Sequence, residues 1–381
     1  MKLLFVSNLF PDKAQPWRGL DNATLLHHLA DRWEIRVLAV RPTLPWQHRA
    51  CQSRRTDTAL QPHYLPSLYV PKFGSRWNHR LMAAALRAPL REVQREFAFD
   101  VVLGSWIFPD CCALAELAQE MNFPLVAIAQ GSDVHQYLRN PTRREIILDR
   151  LPLASAVVTR SGELARLLVA AGLPTGRVYP IYNGIDFACF TPADSAAARR
   201  ELGLPETGRL ILFVGNFYDI KNPQLLVEAH ALLASESDCH LVLIGDGPLA
   251  PALRQSAARL GTSARVVFAG RKDAPAVARY MQAADVLALP SRNEGVPNVI
   301  LEAFACGLPV VASKVGGIPE VHNSVELGRL FPEGNLDALT DALRSVLQSP
   351  TAHDRIHHHA RQFSWERTTE AYDTLLRQAI T

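Results

Sequence analysis

The 381-residue chain lacks several features, and each shortage closes a class of function. No apolar run approaches the roughly 18 residues of a membrane-spanning helix, and the opening MKLLFVSNLF turns polar too soon for a signal peptide. A cytoplasmic protein is expected. Six cysteines, Cys51, Cys111, Cys112, Cys189, Cys239 and Cys306, form no C-x-x-C pair and no zinc spacing. Free thiols in a reducing compartment are the expectation. No Asp-x-Asp pair stands ready for Mg²⁺. The histidine run 357–359, with His353, lacks matching carboxylates, so no metal site is expected. Charge of one sign is also scarce: the net is +3, divided as +7 over residues 1–185 and −4 over residues 186–381. The acidic second half argues against a nucleic-acid-binding protein, while the basic first half suits an anionic lipid or acceptor.

What the chain has in quantity is alternation of short apolar runs with amphipathic helical stretches, the pattern of parallel sheets covered on both faces. In the first half KLLFVSN, EIRVLAV, DVVLGSW, PLVAIAQ, SAVVTRS and VYPIYNG read as strands. In the second half LILFVGN, HLVLIGDG, ARVVFAG, DVLALPS and LPVVAS do the same. Polar and turn residues in FACFTPADSAAARRELGLPETG separate the two series, which places a linker at about residues 185 to 200. Two α/β domains follow, each large enough for its own core.

The stretch SRNEGVPNVILEAFACGLPVVAS, residues 291–313, carries the most specific chemistry. The preceding DVLALP reads as a buried strand, Gly295 and Pro297 mark a turn, and NVILEAFACG reads as a helix ended by Gly307. Glu294 then lies in the loop at the strand's carboxyl end, and Glu302 lies about a turn into the helix. Backbone N–H groups at the positive end of the helix dipole suit an anionic group, and the carboxylates suit hydroxyls of a sugar and a ribose. Taken alone, the pair equally describes a helix-start carboxylate and an exposed helical side chain.

The spacing of Glu294 and Glu302, with Gly295, Val296, Pro297 and Asn298 between them, resembles the signature of the family 4 retaining glycosyltransferases. IYNGIDFACF is similar to the family's joint at Asn183, Gly184, Asp186 and Phe190. LVLIGDGPLAPALRQSAARLGTSARVVFAGR resembles its G-x-G-P-L turn and the strand and loop, ending at Arg271, that face the nucleotide base. FSWERTTEAYDTLLRQAI resembles the family's last helix. The resemblance implies a GT-B fold, two Rossmann-like domains facing each other across a cleft. Residues 1–190 would form the acceptor side, 191–363 would bind the nucleotide sugar, and 364–381 would pack back on the first domain.

The resemblance also implies roles. Glu294 would contact the donor sugar and Glu302 the ribose. In LILFVGNFYDIKNP, Gly215, Asn216 and Lys221 would lie at the diphosphate, with Lys221 neutralising it and Asn216 standing where many members carry Arg. Gly19, in PDKAQPWRGL, would allow the diphosphate close approach. AIAQGSDVHQY resembles the family's H-G-[ST]-D segment, with Gln130 in the place of His and Asp133 matching the Asp, whose alternative role is a helix cap. Glu294, Lys221, Asp133 and Gln130 are the catalytic candidates, with Gln130 or Asp133 near the reacting carbon. SWIFPDC resembles the W-x-x-P-D-G segment of polysaccharide-assembly members, with Ser105 and Cys111 as departures. Trp106 and His135 are candidates for acceptor contacts.

The implied activity is transfer of a sugar from a UDP- or GDP-linked donor to a hydroxyl of a glycan or lipid-linked glycan, without cofactor or metal. A sugar-nucleotide epimerase of the same fold competes with this reading. So does a non-catalytic sugar-nucleotide-binding protein, suggested by Asn216 and Gln130. Finally, RWNHRLMAAALRAPLREVQREF places Met82, Leu86, Leu90, Val93 and Phe97 on one helical stripe, and Arg80, Arg87, Arg91 and Arg95 on a roughly opposite one. That ridge is either a solvated face or a surface that meets anionic membrane, which would place the protein peripherally on the cytoplasmic membrane face.

Overall fold

The computed structural model describes residues 1–44, 60–71, 73–349 and 352–381; Cys51 lies outside the described residues. β1 (Lys2–Ser7), β2 (Glu34–Thr43), β3 (His63–Leu68), β4 (Val101–Ser105), β5 (Leu125–Ala129), β6 (Ala156–Thr159) and β7 (Val178–Pro180) form one parallel sheet, in the order β3-β2-β1-β4-β5-β6-β7. β8 (Arg209–Val214), β9 (Cys239–Ile244), β10 (Val266–Gly270), β11 (Val286–Leu289), β12 (Val310–Ser313) and β13 (Gly328–Phe331) form a second, ordered β10-β9-β8-β11-β12-β13. Both are doubly wound sheets whose strand order reverses once, between β1 and β4 and between β8 and β11.

The central strands are buried on both faces, so they read as continuous apolar runs. Alternate residues of β1 serve different cores: Leu4 and Val6 join the cluster that holds Met82 and Leu86, while Leu3 and Phe5 join the one that holds Trp365 and Tyr372. The sequence pattern marks eleven of the strands and misses β3 and β13, both at sheet edges. β3 carries Pro66 inside HYLPSL, which an edge strand tolerates.

Two compact units result, one of residues Met1–Asn183 with Trp365–Thr381, the other of Gly184–Ser364. The first ends before residue 190, because Ile185 donates its N–H to the Phe363 carbonyl and bridges Ser364, closing the second unit's two ends on each other. The helix Trp365–Ile380 belongs with the first unit. Trp365 stacks on His28 at 4.7 Å, Trp33 Nε1 donates to Asp373 Oδ1 at 2.8 Å, and Thr368 Oγ1 donates to the Tyr182 carbonyl.

Two other groups have structural roles. His353 and His357 direct Nδ1 at the carbonyls of Gly307 and Ala305, at 2.9 and 2.6 Å, where the helix Asn298–Ala305 leaves acceptors unsatisfied. Cys111, Cys112, Cys239 and Cys306 are buried, and burial pushes the thiols of Cys239 and Cys306 up to about 12, far from reactive thiolates. Among the described residues no helix is long and apolar enough to cross a membrane.

Candidate functional site

The second unit assembles its site at its switch point, from the loops that leave β8 and β11. After β8 the chain runs through Gly215 and the exposed Asn216 into a single 3₁₀ turn, Asp219–Lys221. The loop after β9 holds it in place: Phe217 donates its N–H to the Asp246 carbonyl and accepts from Leu249 N–H. After β11 comes Ser291, then Glu294. Lys221 Nζ donates to Glu294 Oε1 at 2.5 Å, and Ser291 Oγ donates to the same oxygen at 2.6 Å. Arg292 N–H to the Ile220 carbonyl, at 2.8 Å, fastens the two loops along their backbones.

A third loop locks Glu294 from the other side. Gly317 N–H donates to the Gly295 carbonyl, and Gly316 sits at φ +53° with its Cα so close to Glu294 that an added Cβ would meet the Glu294 carbonyl oxygen at 1.7 Å. Only glycine fits there. The Glu294 side chain is 9% exposed and that of Lys221 26%, so the pair is sheltered but reachable. Sequence reasoning gives Lys221 and Glu294 separate partners; the structure pairs them with each other.

Pro297 caps the helix Asn298–Ala305, whose positive dipole end follows directly on Gly295 and Val296. Glu302 lies on this helix, half-buried, and Arg271 is exposed just beyond β10. These loops and this helix thus carry the Lys221 cation, a helix start and the carboxylates of Glu294 and Glu302. An anionic group beside hydroxyl-bearing rings matches that chemistry.

The first unit uses its own switch point in the same way. Asn8, just after β1, donates its N–H and Nδ2 to the two oxygens of Asp110, at 2.5 and 2.8 Å. Asn8 in turn accepts from Arg18, at 2.8 Å on its carbonyl and 2.7 Å on Oδ1. Burial pushes the Asp110 carboxyl up to about 7, against the opposing pull of the Asn8 donors and Arg18. Asp110 sits in the SWIFPDC motif, yet sequence reasoning assigns it nothing; an acid inside an apolar run after a strand is the signal that marks it.

Asp133 joins two of the motifs. Fully buried, its carboxylate accepts from Ile107 N–H at 2.9 Å, Gln130 N–H at 3.0 Å and Gly131 N–H at 2.7 Å. Burial raises its pKa while these three backbone donors oppose the rise. Gln130 is equally tied: Nε2 donates to Asn22 Oδ1 at 2.8 Å and to Ser105 Oγ at 2.7 Å, and Oε1 faces Arg160 Nε at 3.5 Å. Two of the departures from the family pattern, Ser105 and Gln130, therefore touch. Arg160 is only 4% exposed, lies over the Tyr372 ring, and among the described residues its two terminal nitrogens make no hydrogen bond within 3.5 Å. A basic residue directly after the apolar strand β6 was its sequence signal.

Trp106 holds a positive φ of 77° and meets Tyr137 edge-on at 5.9 Å. His135 Nε2 lies 3.5 Å from Glu163 Oε2, and burial followed by the charge of Arg139 lowers its pKa. Gly19 has an internal reason to be glycine: at φ +65° an added Cβ would meet the Leu9 carbonyl carbon and oxygen at 2.3 Å. Its missing side chain serves the loop's own packing, whatever else approaches it.

Known proteins share these patterns. The description Glycosyltransferase Family 4 matches residues 22–188, and Glycosyl transferases group 1 matches residues 194–363. N-acetyl-alpha-D-glucosaminyl L-malate synthase of Bacillus anthracis is 28% identical over 298 residues, 76% of this chain and 78% of that protein. D-inositol 3-phosphate glycosyltransferase of Mycobacterium avium is 33% identical over 267 residues, 67% of this chain but 61% of that protein. Among solved structures, sucrose-phosphate synthase from Thermosynechococcus elongatus superposes with a TM-score of 0.83 at 23% identity, covering 99% of both chains. Anabaena HepE in complex with UDP-glucose does so with a TM-score of 0.76 at 20% identity, covering 99% of this chain and 100% of that one. These structures show the fold alone, while the two matched descriptions between them take in both units. With its paired doubly wound sheets and returning last helix, the chain is a GT-B protein and belongs to the family 4 glycosyltransferases.

Proposed function

We propose that the chain transfers a sugar from a UDP- or GDP-linked donor to a hydroxyl of a glycan or lipid-linked glycan, with retention of configuration. The observation that carries this reading is the Lys221–Glu294 pair at the switch point of the second sheet. Lys221 and the start of the helix Asn298–Ala305 neutralise the departing diphosphate. Glu294 accepts hydrogen bonds from the donor sugar and Glu302 from the ribose. Attack and departure then use the same face of the sugar. The complex of Anabaena HepE with UDP-glucose supports a nucleotide-sugar donor. Since Lys221 supplies the cation, turnover needs no added divalent ion.

Asp133, enclosed by backbone donors, acts as a positioning residue that sets Gln130 and the Trp106 turn, and Trp106 and His135 serve acceptor recognition. A second reading concerns the acceptor. The buried guanidinium of Arg160, whose Nε faces Gln130 Oε1 and whose two terminal nitrogens make no hydrogen bond within 3.5 Å among the described residues, favours one carrying a carboxylate or phosphate. The relatives' names, with L-malate and inositol 3-phosphate, point the same way. We further propose peripheral attachment to anionic membrane, although Arg87 and Arg91 of the helical ridge are both spent on Glu120, at 2.9 and 2.8 Å.

A thermal-shift screen of sugar nucleotides tests the donor assignment. One UDP- or GDP-sugar should raise the melting temperature in wild type and much less in Glu302→Ala. Equal stabilisation of both proteins would remove Glu302 from the site.

A further inference from the structure

We propose that Phe73 and Trp77 form a rigid wedge that inserts into the interface of an anionic bilayer, with the neighbouring arginines on the headgroups. The proposal deepens the peripheral-membrane reading above by naming the element that docks. Phe73 is 84% exposed and Trp77 54% exposed, the first an extreme value for a large apolar side chain. They flank the 3₁₀ turn Gly74–Arg76, immediately before the helix Asn78–Phe97.

The turn is fixed. Asn78, itself buried, accepts from Val70 N–H at 2.9 Å and donates to the Val70 carbonyl at 3.0 Å, which ties the helix start to Val70. Arg143 Nε donates to Ser75 Oγ at 3.2 Å, which ties the turn to the helix Pro141–Arg150. With Ser75 and Asn78 tied to their neighbours, the turn between Phe73 and Trp77 has little backbone freedom to lose on docking.

The charge beside them fits one partner. Segments 73–80 and 139–150 carry Arg76, Arg80, Arg139, Arg143, Arg144 and Arg150 against only Glu145 and Asp149. A groove of about 500 Å³ lined by Arg76, Trp77, Arg80 and Arg150, along with Glu145 and Asp149, opens there and suits a phosphate headgroup. Aromatic side chains beside arginines are the composition of surfaces that lie at a membrane interface. Glu120 pairs with both Arg87 and Arg91 and offsets one of their two charges, whereas the tip carries six arginines against two carboxylates.

Sedimentation of the full chain with phosphatidylglycerol–phosphatidylcholine vesicles, and with phosphatidylcholine vesicles alone, tests the wedge. Wild type should bind the anionic vesicles, and Phe73→Ser/Trp77→Ser should partition about tenfold or more weaker at unchanged melting temperature. Arg76→Gln/Arg80→Gln should also weaken binding at low salt, and that difference should vanish at high salt, where charges are screened. Tryptophan fluorescence should shift blue on vesicle addition, and not in Trp77→Phe. Wild-type binding with an unaffected aromatic double variant overturns the wedge and leaves the peripheral reading standing. No binding by wild type overturns both, as does equal binding to neutral vesicles for the anionic partner. Self-association abolished by the same double variant, without vesicle binding, would make a second copy of this chain the occupant and also overturn the proposal. Transfer to a water-soluble acceptor should be equal in wild type and double variant, so loss of the transferase reading would be seen separately.

Discussion

Replacing Lys221 by alanine removes a cation whose two tasks can be separated. In the free protein it neutralises Glu294 at 2.5 Å, and with donor bound it is proposed to meet the diphosphate. The second task is a charge-assisted contact of about 1.5 to 3 kcal/mol, so kcat/KM for the donor should fall roughly tenfold to over a hundredfold. The first makes the loss worse, because Glu294 is only 9% exposed and keeps Ser291 Oγ as its remaining partner. An uncompensated carboxylate beside a diphosphate repels it. Neutralising that carboxylate should therefore recover part of the donor affinity: Lys221→Ala/Glu294→Gln should bind donor more tightly than Lys221→Ala while transferring sugar more slowly than wild type. The stability cost of Lys221→Ala should stay below the roughly 3 to 5 kcal/mol of a fully buried broken pair, since both side chains keep some contact with solvent. Steady-state kinetics with titration calorimetry of the donor measure these quantities. Near-normal donor kinetics in Lys221→Ala, or fully additive binding losses in the double variant, would refute the reasoning.

The contact between Ser105 and Gln130 should appear as non-additivity: in a double-mutant cycle of Ser105→Ala and Gln130→Ala, kcat/KM should show a coupling of about 0.5 to 3 kcal/mol, and additive effects would contradict the shared network. Asp110 should make stability fall as pH rises. Its folded carboxyl is raised by burial to about 7 from 3.8, so between those values the unfolded chain releases the proton first and gains relative to the fold. Urea unfolding of wild type should lose stability over that window relative to Asp110→Asn, and the opposite slope would contradict the buried placement.

The fold was legible because its chemistry is local. Strands buried on both faces leave uninterrupted apolar runs, and the turns between them carry glycine, proline and polar residues. β3 and β13 escaped because edge strands need neither property, and β3 contains Pro66. The placement of Glu294 in a loop and Glu302 on the helix after it was readable from spacing, since the loop after β11 and its helix are contiguous in the chain. The pairing of Lys221 with Glu294 was not: the two are 73 residues apart and meet only because strand order reverses between β8 and β11. The same limit hid Asn8 with Asp110, and Asn22 and Arg160 around Gln130. Gly19 shows the opposite case, a motif residue whose identity is already required by the backbone of Leu9.

The central claim is transfer with retention at a metal-free diphosphate site, and NMR of the product formed from an anomerically defined nucleotide sugar, in excess EDTA, tests it most directly. The account predicts release of the nucleoside diphosphate and a new glycosidic bond with the donor's anomeric configuration kept. Inversion at the anomeric carbon, an altered free sugar nucleotide without transfer, or activity lost to EDTA and restored by Mg²⁺ would contradict it.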